Sequence, residues 1–409
     1  MDADHAASKA VEYHLGLVLT GGGARGAYQV GVLKWIARRY PEMHFPILTG
    51  VSAGAVNTAA LAAAPGTFGQ AVESLEQMWR GLSVSDIFRV DSLSLARSAM
   101  GWGARLLSGG NRGAPRVRGL LDTQPLRELL HEMLGPVNGE ITGIDYNLAQ
   151  DKLRAVAIIT TSYTTGQTVV WLKGTGIRPW RRPQRRTEMA PITVETIMAS
   201  AALPIFFPAV QIGSEWYGDG GIRLVAPLSP ALHLGSDRIL AISTRYDKSP
   251  PEAGAREISG YPPPAQVVGV LLNAVFLDLV DQDAIRLERL NELLDKLPAE
   301  ERLGMRPVRL MTVRPSQDLA RLAAEFEPQL PRSFRFMTRG LGTQEQRSPD
   351  VLSMLMFQPD YLSHLIDLGE ADAERMAPEL EAFFEARPGT GREEQPVRQW
   401  IVDEGAPAS

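Results

Sequence analysis

In LTGGGARGAYQVGVL, residues 19–33, three consecutive glycines separate a short apolar run from a stretch with helical spacing. Gly21, Gly23 and Gly26 satisfy the G-x-G-x-x-G spacing of a dinucleotide loop, yet amides bared by glycine bind any anion, a transient oxyanion included. The run before them, LGLVLT (15–20), reads as a buried parallel strand and Gly26 to Tyr40 as a helix. FPILTGV (45–51) and Ala53 to Ala64 repeat the unit at once. Strand, tight turn and helix, twice in succession, predict a doubly wound α/β sheet, whose ligands sit at the carboxyl ends of the strands, where both turns lie.

The chain can build a large core, since 44% of its 409 residues are hydrophobic and 22% charged. Its 42 Lys and Arg against 47 Asp and Glu leave a formal charge of −5, which gives no global drive towards nucleic acid or an anionic membrane. No nucleic-acid partner is expected. Zero cysteines exclude disulfides, thiolate metal sites and a cysteine nucleophile, and no metal or cofactor is expected. The start, MDADHAASKAVEYH, carries acids where a Sec signal needs a basic end and an apolar block. No stretch approaches the roughly 18 apolar residues of a membrane span. The expectation is a cytoplasmic protein, with peripheral membrane contact and specialised export both compatible.

Further strands are expected in LRAVAIITTSY and TVVWLK, paired as an edge hairpin around Thr164 to Gln167, and in ILAIST (239–244) and PVRLMTV (307–313). The latter two predict a C-terminal region, 231–390, that adds strands and helices to the unit begun by residues 14–230, with 391–409 as a tail. Val84 to Leu121 loosens into Gly, Ser and Arg and reads as a lid or surface insertion. Pro262 to Pro298 reads as helical, with Phe276, Val280, Leu287, Leu290, Leu294 and Leu297 on a near-heptad stripe broken by Asp283. In the tail, Trp400, Ile401 and Val402 could dock.

GVSAG (50–54) fits the G-x-S-x-G nucleophile elbow, in which Gly50 and Gly54 let a strand turn sharply and Ser52 project above the sheet. The bland alternative is a serine N-cap on a tightly packed helix. A serine nucleophile needs a base. By chain order His233 and His364 are the histidine candidates, though both read as helix residues. Asp219 in EWYGDGGIRL (215–224) is the acidic candidate: Gly220 and Gly221 remove bulk beside it, and burial would raise its pKa towards a useful base. Its bland alternative is an Asx-turn.

A dinucleotide loop also needs an acid about 20 residues on, at the end of the second strand. Thr49, Gly50, Val51 and Ser52 occupy that position. The first turn therefore presents its amides towards Ser52, as an oxyanion hole requires. Arg25, a cation in a helix's first turn, calls for a compensating anion, a packing role or a surface ion pair.

GGGARG, GVSAG and DGG, in that order, resemble the three signature motifs of the patatin-like phospholipase family, and ASAALPIFFPAV (199–210) resembles the block preceding its acid. The resemblance covers roughly residues 14–230 and continues loosely through FQPDYLSHLIDLGEADA. It implies a three-layer α/β/α fold with a mostly parallel sheet and a helical C-terminal region, acting on lipid acyl esters through a Ser–Asp dyad. Carried over by position, Ser52 is the nucleophile and Asp219 the general base. The oxyanion hole falls to the Gly21, Gly22, Gly23 loop and the amide of Ala53, with Arg25, Gly26, Gly50, Gly54, Gly220 and Gly221 as supporting motif positions.

Two other readings stand beside it: a Ser-His-Asp esterase, and a non-catalytic scaffold that binds lipid or a partner. RPWRRPQRR (178–186), with Trp180 embedded, reads as a solvated basic loop or as a lipid-facing one. Acyl length, head group, positional preference and oligomeric state are not legible in the sequence.

Overall fold

The structure, a computed structural model, describes residues 14–89, 100, 119–254, 258, 260–276, 279–340, 342–343 and 349–385. Most of the Val84 to Leu121 insertion, and the tail with Trp400 to Val402, lie outside them. Ten strands form one sheet: β1 (Leu15–Leu19), β2 (Ile47–Val51), β3 (Ala155–Ser162), β4 (Thr168–Gly174), β5 (Arg181–Arg182), β6 (Arg185–Met189), β7 (Val210–Ile212), β8 (Glu215–Asp219), β9 (Arg238–Ile242) and β10 (Arg309–Val313). Their order is β10-β9-β1-β2-β3-β4-β6-β5, with β7 and β8 joined to β3 off that path. The first five run parallel.

Burial on both faces explains why these strands are unbroken apolar runs rather than alternating ones. On one face Leu17, Leu19, Leu48, Ile158, Leu240 and Val313 meet α1 (Gly26–Arg39), α2 (Ala53–Ala63) and α3 (Phe68–Gly81). On the other, Val18, Ile239 and Ala241 pack on Leu228, Ala231, Val280 and Leu287, while Ile47, Val51, Ala157 and Ile159 cover Leu224 and Leu234. This is the expected three-layer α/β/α arrangement with a mostly parallel sheet.

The chain after residue 232 is woven into the same sheet, because β9 lies between β1 and β10. Helix α4 (Val194–Ser200) packs over β3 and β8. The 262–298 region is helical as expected, with α5 (Pro264–Phe276) and α6 (Leu279–Asp295). Of the predicted stripe, Val280, Leu287 and Leu294 are buried, whereas Leu290 and Leu297 are over a third exposed. Asp283 interrupts the stripe because its carboxylate accepts the Leu228 amide at 2.9 Å. Two more helices, α7 (Asp350–Leu355) and α8 (Pro359–Arg375), return the chain to the N-terminal segment: α8 lies along α1, and the Tyr28 hydroxyl donates to Asp372 at 3.1 Å.

Two sequence expectations are corrected. The β3–β4 hairpin does not close the edge, since β6 and β5 lie beyond it. RPWRRPQRR is not loop throughout: it supplies β5 and the start of β6, while Arg178, Pro179 and Arg181 to Gln184 are exposed. Its Arg186 pairs with Glu188 and Glu215, its Arg185 donates to the Ser229 hydroxyl, and Trp180 stacks on His233 with ring centroids 4.7 Å apart. These contacts engage Arg185, Arg186 and the indole, while Arg178, Arg181 and Arg182 stay exposed.

Candidate active site

The site begins where β2 ends. Val51 is the last paired residue of β2, opposite Ile159 of β3, and the next residue, Ser52, turns with φ 57° and ψ −129°. A non-glycine residue with positive φ costs roughly 1–3 kcal/mol and persists only where its surroundings impose it. Two contacts impose it here. The Ser52 amide donates to the Ser200 hydroxyl at 3.0 Å, which itself donates to the Ile159 carbonyl at 2.6 Å. A Cβ on Gly54 would lie 2.2 Å from the Leu19 carbonyl, so α2 can start this close to the end of β1 only because that residue is glycine. Ser52 sits at the N-cap position of α2 without making a capping hydrogen bond, which removes the bland reading of its hydroxyl.

Asp219 reaches the same place from the opposite direction. Strand β8 runs antiparallel to the last part of β3, with Thr160 facing Asp219, one residue beyond the partner of Val51. The ends of β2 and β8 therefore meet head to head along one side of β3, at about one residue's rise. Asp219 is fully buried, and its carboxyl oxygens do different things. Oδ1 accepts the Gly221 amide at 2.9 Å, the predicted Asx-turn, while Oδ2 has no hydrogen-bond partner among the described residues. Burial pushes the carboxyl up to about 7, although the approaching Ser52 hydroxyl and the Gly221 amide pull it down.

The glycine loop flanks this pair. Gly22 and Gly23 have φ of 145° and 59°. The Gly21 carbonyl accepts the Thr244 hydroxyl at 2.6 Å, and the Gly22 carbonyl accepts the Arg25 amide at 3.2 Å. In a trans peptide the following N–H points the opposite way. Both carbonyls are thus held back, and the amides of Gly22 and Gly23 are aimed away from Thr244 and α1. Among the described residues these two amides and that of Ala53 meet no acceptor outside their own helices. Gly50 pairs with Leu19 at the end of β2, Gly26 opens α1, and Gly220 passes beneath Ile159.

Arg25 turns its charge away from the loop amides. Its side chain is 4% exposed, pairs with Asp350 at 2.6 Å and donates to the Ser353 hydroxyl at 2.8 Å through Nε. The compensating anion is therefore a half-buried partner on α7, not a fully exposed one. A Cβ on Gly23 would fall 2.2 Å from the Met354 carbonyl, so α7 braces the loop directly. Replacing Asp350 by alanine strands a buried guanidinium, and the expected loss is about 2–3 kcal/mol in urea unfolding.

Neither histidine joins the site. His233 is exposed and its Nδ1 donates to the Ser229 carbonyl at 2.8 Å, in a helix that leads to Ser236 beneath Gly16, at the other end of β1. His364 is exposed on α8 against Phe326, with ring centroids 6.3 Å apart. Sequence reasoning missed a buried polar chain behind the loop. Trp79 donates to Asn57 at 2.7 Å, Asn57 donates to the Gly26 carbonyl and to Gln29, and Gln29 donates to the Thr20 carbonyl at 2.8 Å. A lone Asn or Gln on an apolar helix face was the signal available for it. Ser200 and Thr244, which fix the Ser52 and Gly21 peptides, carried no such signal.

Several solved structures share broad similarity with the chain at low identity. VipD from Legionella pneumophila is 12% identical, with 90% of this chain and 67% of that one covered and a TM-score of 0.39. Human GIVD cytosolic phospholipase A2, bound to methyl gamma-linolenyl fluorophosphonate, is 14% identical, with 91% and 58% covered and a TM-score of 0.42. The type III effector ExoU of Pseudomonas aeruginosa is 14% identical, with 90% and 62% covered and a TM-score of 0.31. The chain thus spans about three fifths to two thirds of the length of these proteins. No curated protein matches it. Residues 17–232, more than half of the sequence and the part that holds both turns and Asp219, match the family described as Patatin-like phospholipase, and the chain belongs to that family.

Proposed function

We propose that the chain hydrolyses acyl esters of lipids with Ser52 as nucleophile and Asp219 as general base. Family membership supports a lipid hydrolase. The observation that carries the finer assignment is the head-to-head register of β2 and β8 on β3, which sets a buried carboxyl oxygen without a partner beside a serine held in a strained turn. Oδ2 of Asp219 takes the Ser52 proton as Oγ attacks the ester carbonyl. The developing oxyanion is received by the amides of Gly22, Gly23 and Ala53, which are fixed before substrate arrives and need no reorganisation. Collapse breaks the ester bond, and Asp219 returns the proton to the departing alcohol, leaving Ser52 acylated. Water, deprotonated by the same carboxylate, then releases the fatty acid and restores Ser52.

A base that is also the later acid works best with a pKa near the working pH, and burial has moved Asp219 there. The two histidine candidates of the Ser-His-Asp alternative, His233 and His364, make their contacts elsewhere, with Ser229 and Phe326. A fluorophosphonate ester is the direct test, because it reacts rapidly only with an activated serine. Wild type, His233→Ala and His364→Ala are expected to label equally, with the adduct on Ser52. Absence of labelling in wild type would favour the non-catalytic reading, and loss of it in either histidine variant would favour the triad.

A further inference from the structure

From Tyr261 to Phe276 the sequence YPPPAQVVGVLLNAVF contains no charged side chain, and its helix α5 is apolar on two faces. One face is used by the fold: Ala265 and Leu272 are buried, and Gly269 lies against Asp350 and Val351 of α7. The other face is in water. Val267, Val270 and Leu271 are 48%, 57% and 60% exposed, and Tyr261 just before the helix is 93% exposed. Spacings of three and four residues set these side chains on one stripe. Leaving several large aliphatic groups in water forgoes burial that each would otherwise favour, so a contiguous stripe of them marks a contact surface.

Its position says what that contact is. Helix α5 packs on the turn Gly220–Arg223, which follows Asp219 directly, and its Asn273 donates to Asp350, the partner of Arg25. The helix that carries the stripe therefore lies beside the turn that follows Asp219, and Val225, just past that turn, is also 55% exposed. Arg223, on the same turn, is exposed and has no carboxylate partner among the described residues, which places a cation beside an uncharged apolar surface. That pairing complements a phospholipid interface, with phosphate next to hydrocarbon. The helix has 13 residues, and no helix among the described residues is long and apolar enough to cross a membrane. Helix α5 would therefore lie in the plane of the interface.

We propose that the exposed stripe of α5, with Arg223 beside it, is the surface by which this protein docks on a phospholipid bilayer. The docking rests on the surface itself, and its service to catalysis rests on the function proposed above. The test compares wild type with Val270→Glu/Leu271→Glu, by sedimentation with phosphatidylcholine vesicles containing phosphatidylglycerol and by turnover of vesicular lipid and of a short-chain, monomeric nitrophenyl ester. The double variant is expected to lose vesicle binding and vesicular turnover by about 10-fold or more. Monomeric ester turnover and the melting temperature should be unchanged. Arg223→Gln should weaken binding at low salt only.

Vesicle binding equal to wild type in the double variant would overturn the proposal. A change in oligomeric state in place of vesicle binding would assign the stripe to a second copy of the chain and overturn it too. Vesicle binding that depends on the stripe, in a protein that hydrolyses neither substrate, would keep the docking surface and remove the hydrolase reading.

Discussion

Replacing Ser52 by alanine is expected to reduce fatty acid release from lipid, and turnover of any activated ester, by about 10⁴-fold or more, since removing the nucleophile of a serine hydrolase eliminates the covalent route. The fold should survive. The Ser52 hydroxyl caps nothing, and the turn is held by the Ser200 bridge to the backbone, which alanine keeps. Ser52→Gly should be equally inactive yet more stable by about 1 kcal/mol in urea unfolding, because glycine tolerates a φ of 57° that serine does not. The pair of variants separates catalysis from stability: chemistry would be lost in both, while strain would be relieved in one. A Ser52→Ala protein with near-normal turnover would sink the nucleophile assignment.

The second large effect belongs to Asp219→Asn. Asparagine can still accept the Gly221 amide but cannot take a proton from Ser52, so turnover should fall by about 10²- to 10⁴-fold. In wild type the base works only when ionised. Activity should therefore rise with pH through about 7 and level off above it, and the variant should lack that rise.

Stability should move the other way. The folded carboxyl titrates near 7 and the unfolded one near 4, so between these values the unfolded chain ionises first. The stabilisation that comes from keeping the proton is complete below about 4, falls as pH rises, and is gone above about 7. Asparagine carries no such charge. Asp219→Asn should thus unfold at higher urea than wild type at pH 8.5, by an amount approaching 4 kcal/mol on linkage grounds, with about half that gap at pH 5.5 and little of it at pH 4. A variant no more stable than wild type at high pH would mean that the carboxylate is not buried as described.

Most of the scaffold was legible because local and global signals agree within it. LGLVLT and FPILTGV are buried on both faces, so their composition alone identifies them, and the glycines after them mark the turns. The sequence was opaque where a residue's role depends on a distant partner. Arg25 announced a need for an anion, but nothing local pointed to Asp350, 325 positions on. The basic run 178–186 hid its strands for the same reason: Arg186 is paired with Glu188 and Glu215, Arg185 donates to the Ser229 hydroxyl, and edge pairing with β4 outweighs the polarity of the run. Asp219 presented two readings that looked exclusive. Each describes one of its carboxyl oxygens.

Because β9 and β10 complete the sheet beside β1, and α7 and α8 brace the glycine loop and α1, the first 232 residues lack the struts that set their own loop in place. During synthesis the chain leaves the ribosome from its amino end, so Ser52 and Asp219 are both outside well before Asp350 and Asp372 emerge. In a chain organised this way the glycine loop gains its struts only after the last third of the polypeptide has been made and folded back.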